Sequence, residues 1–228
     1  MVKYLGPKIK IIRKLGQLPG LAQKIIKNRK KTPGQHGKLL HIRANRSSLS
    51  DDYKNCLIEK QKLRFNYGIT EKQLLACYKL AKKIQGSTGT LLLELLEARL
   101  DCVIYRLGFA STIPFARQLI NHGHIFVNQK RVTIPSFRCK NGDNISASKT
   151  LTAQQIIATN LEEQKLKRDL ILQRMKRLNL LDSHFNSLLP SHLEVNTNEY
   201  TGKYLSPVKR KDVPLRINEL KVVEYYSR

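Results

Sequence analysis

Residues 100–134 read LDCVIYRLGFASTIPFARQLINHGHIFVNQKRVTI, and the spacing of the apolar residues changes within this stretch. At its start, apolar residues recur at intervals of three and four, which predicts helices with one buried face each. After His124, apolar and polar residues alternate, which predicts short strands. The stretch therefore predicts a compact unit of helices followed by a small sheet, and an α+β fold class for the chain.

The first helix of this unit is predicted over residues 91–107, with Gly108 as its C-terminal cap. Its apolar residues form one stripe, and Arg99 and Arg106 fall off that stripe. Both arginines are therefore expected to face solvent. Asp101, two residues after Arg99, is expected to be a carboxylate on the helix surface, paired with an arginine.

A shorter helix is predicted to begin after Thr112, whose side chain suits an N-cap, and to end at Gly123. Arg117 and Gln118 lie on its polar side, together with Asn121, and are expected to point outward.

Strands are predicted next over residues 125–127 and 132–134, joined through Asn128-Gln129-Lys130. A further strand is predicted over residues 144–147, after the turn at Asn141-Gly142-Asp143.

Helical patterns also occur on both sides of this unit. Before it, helices are predicted over residues 51–66 and 70–84, the second of which begins with a Thr70–Gln73 capping box. After it, a long helix with mixed surface charge is predicted over residues 152–180. The end of the chain is rich in Val and Tyr, which predicts a strand over residues 221–226.

Positive charge dominates the chain, with 42 Lys and Arg against 17 Asp and Glu, a net charge of +25. The first 50 residues carry 13 of these cations and no acid, with proline-glycine pairs between short segments. So much charge destabilises a compact fold unless a polyanion neutralises it. Nucleic acid is the first candidate partner. An anionic membrane surface is the alternative, but the arm's segments are too short and proline-broken for a good amphipathic anchor.

The four cysteines lie far apart, at positions 56, 77, 102 and 139. Because no C-x-x-C pair is present, neither a zinc ribbon nor a disulfide framework is expected, and the thiols are predicted to be reduced and buried. No run approaches 18 apolar residues, so no transmembrane helix is expected. The N-terminus lacks the apolar core of a signal peptide.

Two motifs suggest catalysis or metal binding. The triplet Arg99-Leu100-Asp101 resembles the one that carries the catalytic Asp of many pseudouridine synthases, but it lacks the Thr-x-Gly that follows in those enzymes. His122 and His124 supply two of the four ligands that zinc needs, with no companion motif. We therefore expect no catalytic residue, no metal and no cofactor.

A third pattern predicts a binding surface. Three adjacent elements contribute outward-facing polar groups: Arg106, Arg117, Gln118, Lys130 and Arg131. Arginine binds phosphate through two parallel hydrogen bonds, and lysine adds a point charge. Because aromatic stacking platforms are absent from this unit, it is expected to bind shaped RNA through phosphates and 2′-hydroxyls.

The run over residues 91–145, from LLLELLEARLD to FRCKNGDNI, resembles the RNA-binding domain of the small-subunit ribosomal protein S4 family. The flanks YLGPKIKIIRKLGQLPGL, EKQKLRFNYGITEKQLL, HLEVNTNEYTGK and INELKVVEYYSR resemble that family's arm, helical domain and tail, in order. ASTIPFARQLINHGHI and VVEYYSR are most similar to the plastid branch.

The resemblance implies a non-enzymatic structural protein of the small ribosomal subunit. It implies a basic arm at 1–47, a helical domain at 48–90, an inserted RNA-binding domain at 91–150, a helical extension at 151–187, and a tail at 188–228 that packs back on the helical domain. It also implies primary binding to a helical junction in the 5′ domain of small-subunit rRNA.

Further partners are implied in the same way: ribosomal protein S5, other small-subunit proteins, and mRNA near its entry path, with an influence on translational accuracy. No membrane and no small-molecule substrate are expected. The implied location is the plastid stroma, with the bacterial cytoplasm as the alternative. The residues expected to contact rRNA are Lys3, Tyr4, Lys8, Lys10, Arg13, Lys14, Lys24, Lys27, Arg43, Arg46, Lys62, Arg64, Tyr67, Arg106, Arg117, Gln118, His122, Lys130 and Arg131.

Three features depart from the family pattern. The arm has no cysteines, so the zinc site of many bacterial members is not expected. The hairpin turn reads Asn128-Gln129 where Asn-Gly is usual, which leaves a wider turn or a strained Gln129. The segment 152–187 looks longer than its plastid counterparts, and the sequence does not indicate its partner.

Overall fold

The computed structural model describes residues 4, 6–22, 49–177, 190–197 and 199–227. Five predicted rRNA contacts therefore lie outside the described residues: Lys3, Lys24, Lys27, Arg43 and Arg46. The chain divides into two compact units, Met1–Leu93 with Pro214–Arg228, and Glu94–Val213. Within the described ranges, no helix combines the length and the apolar composition that crossing a membrane requires.

The first unit is helical. Helix α1 is Lys8–Leu15, α2 is Leu49–Tyr67, α3 is Glu71–Lys83, and α4, Thr88–Glu97, continues into the second unit. The predicted capping box is confirmed, because the Gln73 backbone N–H donates to Thr70 Oγ1 and the Thr70 N–H donates to Gln73 Oε1. The sequence therefore fixes where α3 begins.

Part of the arm packs as an ordered segment of this unit. Ile11, Ile12 and Leu15 are buried on one face of α1, and the Gly20 N–H donates to Asn66 Oδ1 of α2 at 3.0 Å. Ile9, on the same helix, is 43% exposed. One face of α1 therefore anchors this part of the arm to the unit.

The last residues form a helix, α8 (Glu219–Ser227), so the predicted strand over residues 221–226 is wrong. The β-branched run favours a strand locally, but helical spacing buries Val222 and lets the tyrosines reach the neighbouring helices. Tyr225 accepts a hydrogen bond from the buried Lys60, and Tyr226 stacks on Tyr78 at 4.9 Å between ring centroids. Tertiary packing therefore overrides the local preference.

The second unit begins with two helices where the sequence predicted one. Helix α4 ends at Glu97, and α5, Leu100–Leu107, begins after Arg99, whose backbone is extended. The first two N–H groups of α5 have no intrahelical partner, and the carbonyls of Phe137 and Pro135 accept from them. The segment that contains Pro135 and Phe137 crosses the start of α5, and it therefore sets the break between the two helices. We call it the crossing segment.

The rest of the second unit is α6 (Ile113–Asn121), β1 (Ile125–Val127), β2 (Lys130–Arg131), β3 (Asn144–Ala147), α7 (Leu151–Arg177), β4 (Leu193–Asn196), β5 (Thr201–Tyr204) and a 3₁₀ turn at Arg210–Asp212. The strands form one antiparallel sheet in the order β2-β1-β3-β5-β4. The second strand ends before the predicted residues 132–134, and Ile134 is 61% exposed.

The predicted tail, residues 188–228, divides between the units. Strand β5 pairs with β3, and β4 pairs with β5, so residues 190–213 extend the sheet of the second unit. Leu193 and Tyr204 join the core formed by α5, α6 and the first strands. Only the part from Pro214 onward belongs with the helical unit.

Gly202 allows β5 to pass close to α5. A Cβ at this position would lie 2.6 and 2.7 Å from the two methyl carbons of Leu107. Gly202→Ala is therefore expected to lower the free energy of unfolding by about 1–3 kcal/mol through overpacking. Leu107→Ala alone is expected to cost about 2–5 kcal/mol.

The double variant tests the contact directly, by urea unfolding of the RNA-free protein. Because the smaller residue 107 leaves room for the new methyl group, the combined loss is expected to be smaller than the sum of the single losses. Additive losses would contradict the close approach of β5 to α5.

His192, the residue before β4, is 1% exposed, and its Nδ1 lies 3.6 Å from Asp212 Oδ2, beyond hydrogen-bond distance. Burial lowers the pKa of His192, and the Asp212 carboxylate opposes part of that shift. Below an unfolded-state pKa of about 6.5, the unfolded chain therefore binds the proton more readily than the folded one. Stability is expected to fall as the pH decreases from 7.5 to 5.5.

His192→Gln removes this titration. Urea unfolding at the two pH values is expected to show a smaller loss of stability on acidification than in the native protein. His122→Gln, at an exposed ring, serves as the control. An equal loss in the His192 variant and the native protein would show that His192 does not contribute.

Candidate RNA-binding surface

A fully buried carboxylate, that of Asp101, organises the polar groups of the second unit. Its Oδ1 accepts from Arg99 Nε at 3.1 Å and from the Cys102 N–H at 3.0 Å. Its Oδ2 accepts from Arg99 Nη2 at 3.0 Å and from Arg117 Nε at 2.8 Å. A buried charge requires such compensation, and here two guanidinium groups provide it.

The expectation that Arg99 and Asp101 lie on the helix surface is therefore wrong. Arg99 is 4% exposed because it occupies the break between α4 and α5, where the extended backbone directs it inward. The Asp101 carboxylate is 0% exposed and is enclosed by its own hydrogen-bond donors, so a substrate cannot reach it in this conformation. The pseudouridine-synthase interpretation loses its one candidate residue.

Arg106 is also turned away from solvent, which contradicts its predicted place in the binding surface. Its Nε donates to Glu97 Oε2 at 2.9 Å, and its Nη2 also contacts that carboxylate. The Arg106 side chain is 11% exposed and that of Glu97 is 1% exposed. The helix break places Glu97, at the end of α4, within reach of Arg106, and this pairing could not be read from a single continuous helix.

Arg117 is only partly outward. Its side chain is 15% exposed because it reaches Asp101 from α6, whereas Gln118 and Asn121 on the same helix are exposed as predicted. Arg117 therefore links α6 to the start of α5. A contact with RNA could involve only its remaining exposed edge.

A corner between α6 and β1 brings the exposed groups together. Gly123 has a φ of +76°, which L side chains rarely adopt, and a Cβ there would overlap the Arg131 guanidinium. Arg131 Nη2 donates to the His122 carbonyl at 3.2 Å, so the side chain from β2 lies across the corner. The rings of His122 and His124 are 6.0 Å apart.

The exposed residues of this corner are polar or cationic. We define the corner surface as Gln118, Asn121, His122, Lys130 and Arg131, all of which are exposed. No Asp or Glu occurs between residues 102 and 142. The electrostatic potential at the corner surface is therefore positive even when Arg106 and Arg117, which pair with buried acids, are not counted.

Sequence reasoning missed exposed residues within the acid-free stretch 102–142. Arg138 and Lys140, on and beside the segment that crosses the start of α5, are exposed and were not among the predicted contacts. Asn121 was predicted to face outward but not to contact RNA, and it belongs to the corner surface. The absence of acids from residues 102–142 was the available signal for them. This acid-free stretch also includes residues 135–142, which lie outside the helices and strands from which the binding surface was predicted.

The hairpin that carries Lys130 and Arg131 has a tight two-residue turn. Asn128 and Gln129 both have positive φ, 49° and 66°, which resolves the turn in favour of a strained Gln129. Asn128 compensates through its side chain, which donates to Asp143 Oδ1 and accepts from the Asn144 N–H. The turn is thereby tied to β3.

The predicted contacts in the first unit are mixed in exposure. Tyr67 is 0% exposed, which contradicts a place on an RNA-contact surface. Lys62 is half-buried and pairs with Glu59 at 2.6 Å, and Arg64 lies beside the Phe65 ring. Tyr4 is exposed, and so are the α1 lysines Lys8, Lys10 and Lys14, as a binding role requires. Arg13, on the same helix, is half-buried.

Thiol and metal chemistry is not indicated within the described ranges. All four cysteines are free and buried, as predicted, and burial raises the pKa of the Cys139 thiol to about 12. Burial also raises the pKa of the Cys102 thiol, so both of these thiols are uncharged at neutral pH and are poor metal ligands. In the same ranges, no three His, Cys, Asp or Glu side chains are grouped as a metal site.

Comparison with known proteins agrees with this geometry. The model of the S4 domain matches residues 98–145, and that of the ribosomal protein S4/S9 N-terminal domain matches residues 3–97. Small ribosomal subunit protein uS4c of Cyanophora paradoxa is 46% identical over 228 residues, covering 100% of both chains. The chain belongs to the ribosomal protein S4 family.

Other relatives are of two kinds. The uS4c protein of Rhodomonas salina and the uS4 protein of Thermosynechococcus vestitus are each 45% identical, over 100% of this chain and 99% of theirs. The family consists of structural ribosomal proteins rather than enzymes, and the S4 domain is an RNA-binding domain. The chain is accordingly a structural small-subunit ribosomal protein.

Asp101→Asn tests whether the buried ion cluster supports the fold. Removing the charge leaves Arg99 without its compensating carboxylate in the interior, so we expect the free energy of unfolding to fall by about 3–5 kcal/mol. Urea unfolding of the RNA-free protein measures the change. Asp169→Asn, at an exposed position on α7, is the matched control, and an equal effect in the two variants would contradict a structural role for Asp101.

Proposed function

We propose that this protein is a primary rRNA-binding assembly protein that recognises a helical junction in the 5′ domain of small-subunit rRNA. The observation that carries the proposal is the corner surface, where Lys130 and Arg131 from β2 lie beside Gln118 and His122 from α6. Cations and polar groups supplied by a rigid corner suit phosphate and 2′-hydroxyl contacts on folded RNA.

Two features support a shape-reading mode. The corner surface contains no aromatic side chain other than an imidazole, so it lacks the stacking platforms that single-strand readers use. Internal ion pairs and the Arg131–His122 contact fix the orientation of the surface. Phosphate contacts made by a rigid array of donors fix the register and the orientation of the protein on the RNA.

The first unit supplies a second set of contacts. Exposed Lys8, Lys10 and Lys14 on α1 belong to a helix that is anchored by its apolar face, which fixes their backbone positions. We propose that this helix and the acid-free arm bind neighbouring phosphates. The charge of the arm then stabilises the complex without contributing base specificity.

The finer assignments rest on the family relationship. We propose contacts with ribosomal protein S5 and other small-subunit proteins, a position near the mRNA entry path, and an influence on decoding accuracy. The chloroplast-type relatives support the plastid stroma as the location, and the relatives named without the plastid suffix keep the bacterial cytoplasm as the alternative.

Neutralising the corner tests the proposal. Lys130→Gln with Arg131→Gln is expected to weaken binding to a 5′-domain rRNA fragment and to reduce the slope of log affinity against log salt by about 2. Filter binding between 50 and 200 mM salt measures both quantities. The native protein is expected to lose roughly 10³–10⁵ in affinity over that range if about 6–10 phosphates are contacted.

The control is Lys209→Gln with Lys211→Gln, two exposed lysines at the 3₁₀ turn, which gives the same change in net charge. A smaller effect is expected from it. Equal effects of the two double variants would show that only net charge matters. Equal affinity of the native protein for intact and disrupted junctions would contradict specific recognition.

A further inference from the structure

Helix α7 changes character along its length. From Leu151 to Gln164 it carries two glutamates and no Lys or Arg. From Lys165 to Arg177 it carries six cations and one aspartate, a net charge of +5 in 13 residues. We call residues 165–177 the basic segment of α7.

The first half of the helix is fastened to the second unit. Ala153, Ile157 and Leu161 are buried along one face. Asn160 Nδ2 donates to the Phe109 carbonyl at 3.2 Å, and Gln164 Nε2 donates to the Ala110 carbonyl at 3.4 Å. These contacts hold the helix against the end of α5 and fix its direction.

The described side chains of the basic segment show no such anchoring. Its described side chains, Lys165, Leu166, Asp169, Leu170 and Gln173, are all exposed, and Leu166 and Leu170 are 64% and 65% exposed. The helix nevertheless continues to Arg177. A helical stretch of this length is marginal in water without tertiary packing.

Charge makes the basic segment less stable on its own. Lys165 and Arg168, and likewise Arg174 and Arg177, are like charges three residues apart, and only one opposite-charge pair at i,i+4, Lys165 with Asp169, offsets their repulsion within the segment. An anionic surface would remove this repulsion and release counterions. The segment contains no aromatic residue and no histidine, so it offers no platform for unstacked bases.

We propose that the basic segment of α7 is a second RNA-binding element that contacts the phosphate backbone of folded rRNA, separately from the corner surface. This inference rests on the proposed function, since it takes the chain to be bound to rRNA. The first half of α7 holds the helix against the second unit, and the basic segment contacts the rRNA phosphates.

The test uses the full chain and full-length small-subunit rRNA. All six cations of the segment are replaced by Gln, a good helix former that removes charge without breaking the helix: Lys165→Gln, Lys167→Gln, Arg168→Gln, Arg174→Gln, Lys176→Gln and Arg177→Gln. The dissociation constant is expected to rise at least about tenfold, and the salt slope to fall by about 3–5.

The matched control changes the same segment without changing its charge: Leu166→Gln with Leu170→Gln. It is expected to leave the dissociation constant and the salt slope unchanged. Circular dichroism is expected to show that both variants retain their helix content. An unchanged salt slope in the six-cation variant, with normal binding by the native protein, would overturn this inference alone.

Two other outcomes are distinguishable. If the native protein does not bind the rRNA, the proposed function fails and this inference fails with it. If the leucine variant binds rRNA normally but is lost from assembled particles, while the six-cation variant is retained, then the segment docks on a protein and the RNA assignment is overturned.

Discussion

The second unit depends on one buried carboxylate. Asp101 accepts hydrogen bonds from Arg99 at the helix break and from Arg117 on α6, while its own N–H donates to the crossing segment at Pro135. Three parts of the chain that are distant in sequence thus meet at one charge. Because a buried ion must be fully compensated, the orientation of α6 relative to α5 has little freedom. That orientation determines where the corner surface lies.

Two kinds of cation follow from this arrangement. Arg99, Arg106 and Arg117 neutralise buried acids and belong to the architecture. Lys130 and Arg131 lie on a two-residue strand at the sheet edge, where no acid follows until Asp143. Net charge alone does not separate these roles, because a guanidinium paired with a buried carboxylate adds little to the external field. A basic patch on this domain must therefore be counted from exposed cations.

Local signals predicted local structure well. The Thr70–Gln73 cap, the helix after Thr112 and the strand over residues 144–147 depend on neighbouring residues, and each was readable. Pairings between distant elements were not. The Glu97 partner of Arg106, the addition of β4 and β5 to the sheet, and the helix that contains Val222 all result from packing that sequence periodicity does not encode. Arginine positions were therefore the least reliable part of the predicted surface.

Site-specific cross-linking tests the central claim, that a corner held by buried ion pairs presents polar groups to rRNA. Gln118 is exposed and, being uncharged, takes no part in the buried ion pairs. A photoreactive residue in its place would report which molecule lies against the corner surface in assembled small subunits. The account predicts cross-links to small-subunit rRNA. Cross-links to protein alone, from particles that contain the variant in normal amounts, would contradict it.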